Sequence, residues 1–163
     1  MKNNETPLAF TLLLGVLIAL PALGTDLYIP ALPEVSRSLD APVALLSFVA
    51  ADRQFFAASW GLPEPWASDR GTDLLHSFCQ HVVVSNQPLL VTDSRKHPLV
   101  QGNRAIEDLD VIAYVGVPMN DSEGNTLGSF CVIDHEPRQW KAPEVELLHD
   151  FAAAVMDRVE SLN

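Results

Sequence analysis

The sequence predicts an α+β domain, a central antiparallel sheet flanked by helices, preceded by one hydrophobic N-terminal helix. Three observations predict it. From Val43 onward, short apolar runs rich in β-branched and aromatic residues alternate with turn signals. The final stretch, from Pro143, carries apolar residues at helical spacing. Ahead of both, Pro7 to Gly24 contains no charged residue. The two parts divide at residues 40 and 41, and a chain of 163 residues suits one domain with a leading segment.

Each element follows from its residues. Val43 to Val49 reads as a buried strand, and Asp52-Arg53 as a turn returning the chain along Gln54 to Ala58. Gly61 to Gly71 holds Pro63, Pro65 and Trp66 and reads as a loop. Leu74, Leu75, Phe78, Val82 and Val83 give Asp73 to Ser85 helical spacing. After Pro88, Leu89 to Thr92 reads as a strand. Asp93 to Asp110 reads as a loop with a short helix over Ala105 to Leu109.

Val111 to Val117 is the clearest central strand, joined through a hairpin loop at Asp121 to Asn125 to its partner, Leu127 to Asp134. Gly124 suits the positive φ such a loop needs. Pro143 with Glu144 and Glu146 opens the last helix, which runs to about Leu162. Val145, Leu148, Ala152, Val155, Val159 and Leu162 follow a heptad seam. Such a seam serves one amphipathic helix lying on the sheet or a homodimer through the C-terminal helix.

Charge narrows the function. Ten Lys plus Arg stand against 21 Asp plus Glu, a net charge of -11. Nucleic acid is an unsuitable partner, because displacing phosphate counterions takes a basic face. Docking on anionic lipid by charge is unsuitable for the same reason. Two cysteines, Cys79 and Cys131, are too few for a disulfide-stapled scaffold.

The first forty residues admit three readings: a spanning helix, a cleaved secretory signal, or a hydrophobic helix packed on the domain. As a helix at ~1.5 Å per residue, the uncharged run covers ~27 Å, close to a bilayer core of ~30 Å. Residues 22 to 33, with Asp26, Tyr28, Pro30 and Pro33, resemble the end of the first transmembrane helix of major facilitator superfamily drug-resistance transporters. The resemblance covers about residues 8–42. Transport itself needs about a dozen spanning helices and is excluded here. The expectation is membrane association through insertion of residues 8–24, with a cytoplasmic or an exported, signal-cleaved domain as alternatives.

Residues 41–163 resemble a GAF domain of bacterial signalling proteins. The matching stretches are Ala44 to Phe56, Ser77 to His81, Val91-Thr92-Asp93, Gly116-Val117-Pro118 and Leu127 to Asp134. The resemblance implies a sensory fold with a small-molecule pocket between one sheet face and the segments above it. The helix that usually precedes the first strand of such domains is expected to be missing or replaced, and an output domain after Asn163 is not expected.

For the ligand pocket, the central strands and overlying loops offer Phe48, His76, Asp93, Tyr114 and Cys131. Phe48, Tyr114 and Cys131 equally suit a plain core. Arg70 and Arg95 suit an anionic ligand or, equally, the many carboxylates. His76 and Cys79 share a helix face but Cys79 and His81 do not, so a tetrahedral metal site is not expected. Cys79 and Cys131 suit core packing or a redox pair. Phosphate-loop, metalloprotease and serine-elbow motifs do not occur. The residues name no cofactor.

The expectation is therefore a non-catalytic sensory or regulatory module of bacterial signal transduction that binds an unidentified small molecule or dimerises. Two alternatives stand beside it. One is a cysteine-dependent redox enzyme resembling free methionine sulfoxide reductases. The other is a chimeric fragment with no function as a unit.

Overall fold

Strand β1 (Val43–Val49) buries six residues in succession, so it is covered on both faces. The computed structural model describes residues 31–161. Among these, six strands form one sheet in the order β3-β2-β1-β6-β5-β4. The others are β2 (Arg53–Trp60), β3 (Gly71–Asp73), β4 (Leu89–Val91), β5 (Ala113–Asn120) and β6 (Thr126–Asp134). Every neighbouring pair is antiparallel. The expected α+β architecture, a central antiparallel sheet with flanking helices, is present.

Period-two alternation sends successive side chains to opposite layers. Leu46, Phe48, Val117, Phe130 and Val132 face helices α1 (Ala31–Leu39) and α5 (Ala142–Glu160). Leu45, Tyr114, Cys131 and Ile133 face the other layer. That layer comprises α3 (Cys79–Ser85), α4 (Ala105–Asp108) and the long segment between β4 and β5, with the short α2 (Trp66–Asp69) beside it.

Helix α1 corrects the expectation that the domain lacks its first helix. Leu32, Val35 and Leu39 fall at helical spacing and are buried in the same core as Leu148, Ala152 and Val159 of α5. The helix ends where Asp40 takes φ 48° and the Ala41 N–H bonds the Ser36 carbonyl at 2.9 Å, a left-handed C-terminal cap. The hydrophobic run at 8–24 lies outside the described residues. Among the described residues no helix is long and apolar enough to cross a membrane.

Helix α5 begins as expected, with Pro143 in its first turn and the Glu144 carboxylate accepting the Lys141 N–H at 2.7 Å. Its seam residues Leu148, Ala152, Val155 and Val159 are buried within this chain against the sheet and α1. Leu162 lies outside the described residues.

The single helix expected over Asp73 to Ser85 is instead three pieces. Asp73 closes β3, and its carboxylate accepts the Leu75 N–H at 3.0 Å to cap a 3₁₀ turn, Leu74–His76. Ser77 is then extended, its hydroxyl donating to Gln54 Oε1 at 2.8 Å, and α3 starts only at Cys79. The clearest strand also shifts, from 111–117 to Ala113–Asn120. Val111 and Ile112 give their carbonyls to the hydroxyl and N–H of Ser94 instead.

Candidate functional site

A cavity lies between the sheet and the α3–α4 layer. Its volume is about 20 Å³, room for one water-sized molecule. Leu45, Gln54 and Phe56 of β1 and β2, Tyr114 of β5, and Cys131 and Ile133 of β6 form its floor. Phe78, Cys79, Ala105, Leu109 and Val111 form its roof, with Leu62 and His76 at the side. Only Leu62 and His76 of this lining are more than slightly exposed, so they mark the mouth.

The walls are apolar and the polar groups few, the usual make-up of a small-molecule site. At the deep end the Tyr114 hydroxyl lies 3.3 Å from Cys79 Sγ, to which it donates, and 3.3 Å from Ser129 Oγ. Cys79 Sγ and Cys131 Sγ are 3.8 Å apart, and both thiols are free and buried. The tyrosine ring lies along its own strand over Gly116, two residues on; a Cβ there would collide with the Tyr114 hydroxyl and come 2.6 Å from Ser129 Oγ.

Nearer the mouth, Gln54 organises the polar groups. Its amide nitrogen donates to Thr72 Oγ1 at 2.8 Å, and its oxygen accepts from Ser77 and Ser47. Buried amides of this kind need partners on both ends, and Gln54 has them. His76 closes the rim, with Nδ1 2.9 Å from Asp73 Oδ1 and Nε2 2.7 Å from Asp108 Oδ2. The Trp66 ring packs over it, centroids 5.3 Å apart.

Protonation follows these contacts. The hydrogen bond from Cys131 holds the Cys79 thiol down at about 7, against the opposing effect of burial, with Tyr114, Ser47 and Ser129 assisting. The same bond, together with burial, pushes Cys131 well up. Burial raises Tyr114, and the neighbouring thiols add to it. Burial lowers His76, but the Asp73 and Asp108 carboxylates outweigh it and leave the imidazole raised. At neutral pH the deep end is thus a thiolate-prone sulfur beside a protonated thiol and a protonated phenol.

Three of the five expected pocket residues meet here: His76, Tyr114 and Cys131. Phe48 does not. It is buried on the opposite sheet face, in the α1–α5 core. Asp93 does not line the cavity either. Its carboxylate is spent on the Arg95 guanidinium, at 2.8 Å, which holds it down at about 2. Arg95 is thus a carboxylate partner, and Arg70 donates to the Phe56 and Ala57 carbonyls. Among the described residues no three His, Cys, Asp or Glu side chains gather to hold a metal.

Gln54, Ser77, Leu45 and Phe78 went unrecognised. Gln54 left a signal: a polar residue in a strand position whose neighbour two residues on, Phe56, points into the core.

A family model described as GAF domain matches residues 25–159. A cyclic di-GMP phosphodiesterase of Pseudomonas aeruginosa is 38% identical over 128 residues, covering 74% of this chain and 20% of that protein. This chain therefore spans about a fifth of the length of that curated relative. Among solved structures, a type II free methionine-R-sulfoxide reductase from Thermoplasma acidophilum superimposes with a TM-score of 0.69 at 12% identity, covering 85% of this chain and 93% of that one. The GAF domain of an Acinetobacter phosphoenolpyruvate-protein phosphotransferase gives 0.69 at 14% identity, covering 94% of each.

Two expectations change. The resemblance of residues 8–42 to a transporter helix is unsupported, since the family match begins at residue 25 and α1 is part of this fold. The expectation that the chain is not an enzyme is contradicted by the Pseudomonas relative, which is named as an enzyme and of which this chain spans about a fifth.

Proposed function

The chain belongs to the GAF domain family, and from that premise we propose that it is the sensory part of a signalling enzyme of the phosphodiesterase kind. A small ligand taken into the cavity under α3 and α4 alters the output of the protein that carries it. The observation supporting this is the cavity itself, an apolar space whose few polar groups, Tyr114, Gln54 and His76, converge from separate elements. At about 20 Å³ it has no room for a cyclic dinucleotide. The ligand is therefore distinct from the substrate that the Pseudomonas relative is named for, and has about two or three heavy atoms with one polar end.

The test is a thermal-shift series on the full chain with methanol, acetonitrile and formate as probes. A binder at a hundred times its Kd stabilises by ~2.7 kcal/mol. At least one probe raises the melting temperature, and Leu45→Trp, which fills the cavity, removes that shift while leaving a cooperative melt. The same chain, exchanged for the matching segment of the Pseudomonas phosphodiesterase, then makes cyclic di-GMP hydrolysis respond to that probe. No shift with any probe, or a bound probe that leaves hydrolysis unchanged, contradicts the proposal.

The uncharged run from Pro7 to Gly24 favours a membrane tether for this module. Carbonate extraction of membranes from cells producing the full chain tests it: retention in the pellet supports the tether, and complete release contradicts it.

A further inference from the structure

Cys79 and Cys131 both line the cavity, which has room for about one water-sized molecule. Cys79 Sγ and Cys131 Sγ lie 3.8 Å apart on different elements, α3 and β6, separated by 52 residues in sequence. A disulfide needs ~2.05 Å between sulfurs, so the pair must close by roughly 1.8 Å. Both sulfurs line the cavity, which holds one water-sized occupant. Hydrogen peroxide, with two heavy atoms and the polarity of water, is an oxidant that such a space accommodates. A peptide disulfide is not.

We propose that Cys79 and Cys131 form a reversible dithiol–disulfide pair that senses a small hydroperoxide entering this cavity. This goes beyond the ligand reading and stands whether or not a metabolite binds. The Cys79 thiolate attacks one peroxide oxygen, the O–O bond breaks, and hydroxide leaves, giving the Cys79 sulfenic acid. The Cys131 thiol then attacks that sulfur, forming the S–S bond and releasing the sulfenic oxygen as water. In sum, two thiols and one hydrogen peroxide give one disulfide and two waters. Both sulfurs lose one electron each, and the peroxide takes both.

The surroundings divide the roles. Cys79 receives the Tyr114 hydrogen bond at 3.3 Å and is the more acidic sulfur, so it is the attacking one. Cys131 remains protonated on its strand and resolves. Disulfide formation weakens the sulfur acceptor that Tyr114 now uses and leaves its hydroxyl to Ser129, which lies at the same 3.3 Å. A covalent tie from α3 to β6 forms across the cavity in the same step.

The full chain, reduced with dithiothreitol and desalted, is treated with hydrogen peroxide, and intact mass and free thiols are followed. The expected result is an intramolecular loss of two hydrogen atoms and of both free thiols, reversed by dithiothreitol once the protein is unfolded. Glutathione disulfide, too large for the cavity, oxidises the native pair at least about tenfold more slowly than peroxide at equal concentration. Cys131→Ser stops at the sulfenic acid, which dimedone captures on residue 79 when the peroxide-treated protein is unfolded in its presence. Cys79→Ser slows oxidation of Cys131 by about tenfold or more. Two thiols that resist peroxide in the native protein and react only after denaturation overturn the proposal, as does a disulfide found only between chains. The wild-type mass measurement decides the matter even if a variant fails to fold.

Discussion

The His76 imidazole places Nε2 2.7 Å from Asp108 Oδ2, a residue 32 positions further along the chain, while Nδ1 lies 2.9 Å from Asp73. One side chain thus ties the end of β3 to α4 across the mouth of the cavity. Both ring nitrogens face carboxylates, an arrangement that suits the doubly protonated ring.

That bridge is pH-dependent. The folded pKa of His76 is raised above the ordinary 6.5. Its stabilisation is fully present below about 6.5 and is lost as pH rises through the higher folded value. The two carboxylates are half-exposed, so solvent screening keeps the effect small. Melting curves taken from mildly acidic to mildly alkaline pH are expected to fall across this window, and His76→Gln to flatten that part of the profile.

Tyr114→Phe removes the donor to Cys79 while keeping the ring. The Cys79 thiol is expected to titrate above its present value of about 7, because one of the bonds lowering it is gone. Thiolate absorbance followed against pH measures this. Stability is expected to fall by about 1 kcal/mol, the net value of a buried hydrogen bond.

Gly116→Ala puts a methyl where the Tyr114 hydroxyl lies and close to Ser129. Overpacking of this kind costs about 1–3 kcal/mol. In the Tyr114→Phe background the cost is expected to shrink without vanishing, since the ring carbon carrying the hydroxyl would still be 2.7 Å away. Chemical denaturation of the four proteins gives the coupling.

Leu32→Ala tests whether α1 belongs to the domain. Leu32 is 1% exposed and packs in the core with α5. A loss of about 3 kcal/mol is expected, as for other buried leucines. A change within ~0.5 kcal/mol would place α1 outside the cooperative unit.

How much of this the sequence discloses depends on the range of the forces involved. The β5–β6 hairpin was legible because its signals are local: two apolar runs and a loop in which Gly124 takes φ 84°. The helix at 73–85 was misread because its break is made at a distance, by Gln54, 23 residues before Ser77. Helix α1 was missed because the apolar run ahead of it drew Leu32 and Val35 into a membrane reading, although their spacing already matched a helix packed on α5.

The site divides in the same way. Tyr114 and Cys131 lie on strands whose apolar alternation is plain, yet alternation does not say which face carries the cavity, and Phe48 was assigned to the wrong one. Asp93 misled because Arg95, two residues on, already neutralises it. His76 is held at the mouth in part by Asp108, a contact no local pattern contains.

The most direct test of the account is an amide chemical-shift titration of the full chain with the probe that gives the largest thermal shift. The account expects the amides of His76, Cys79, Tyr114 and Cys131 to move together along one saturation curve, while those of Phe48, Asp93 and Leu148 stay still. Perturbation centred on Phe48 and Leu148, or spread without saturation, would contradict it.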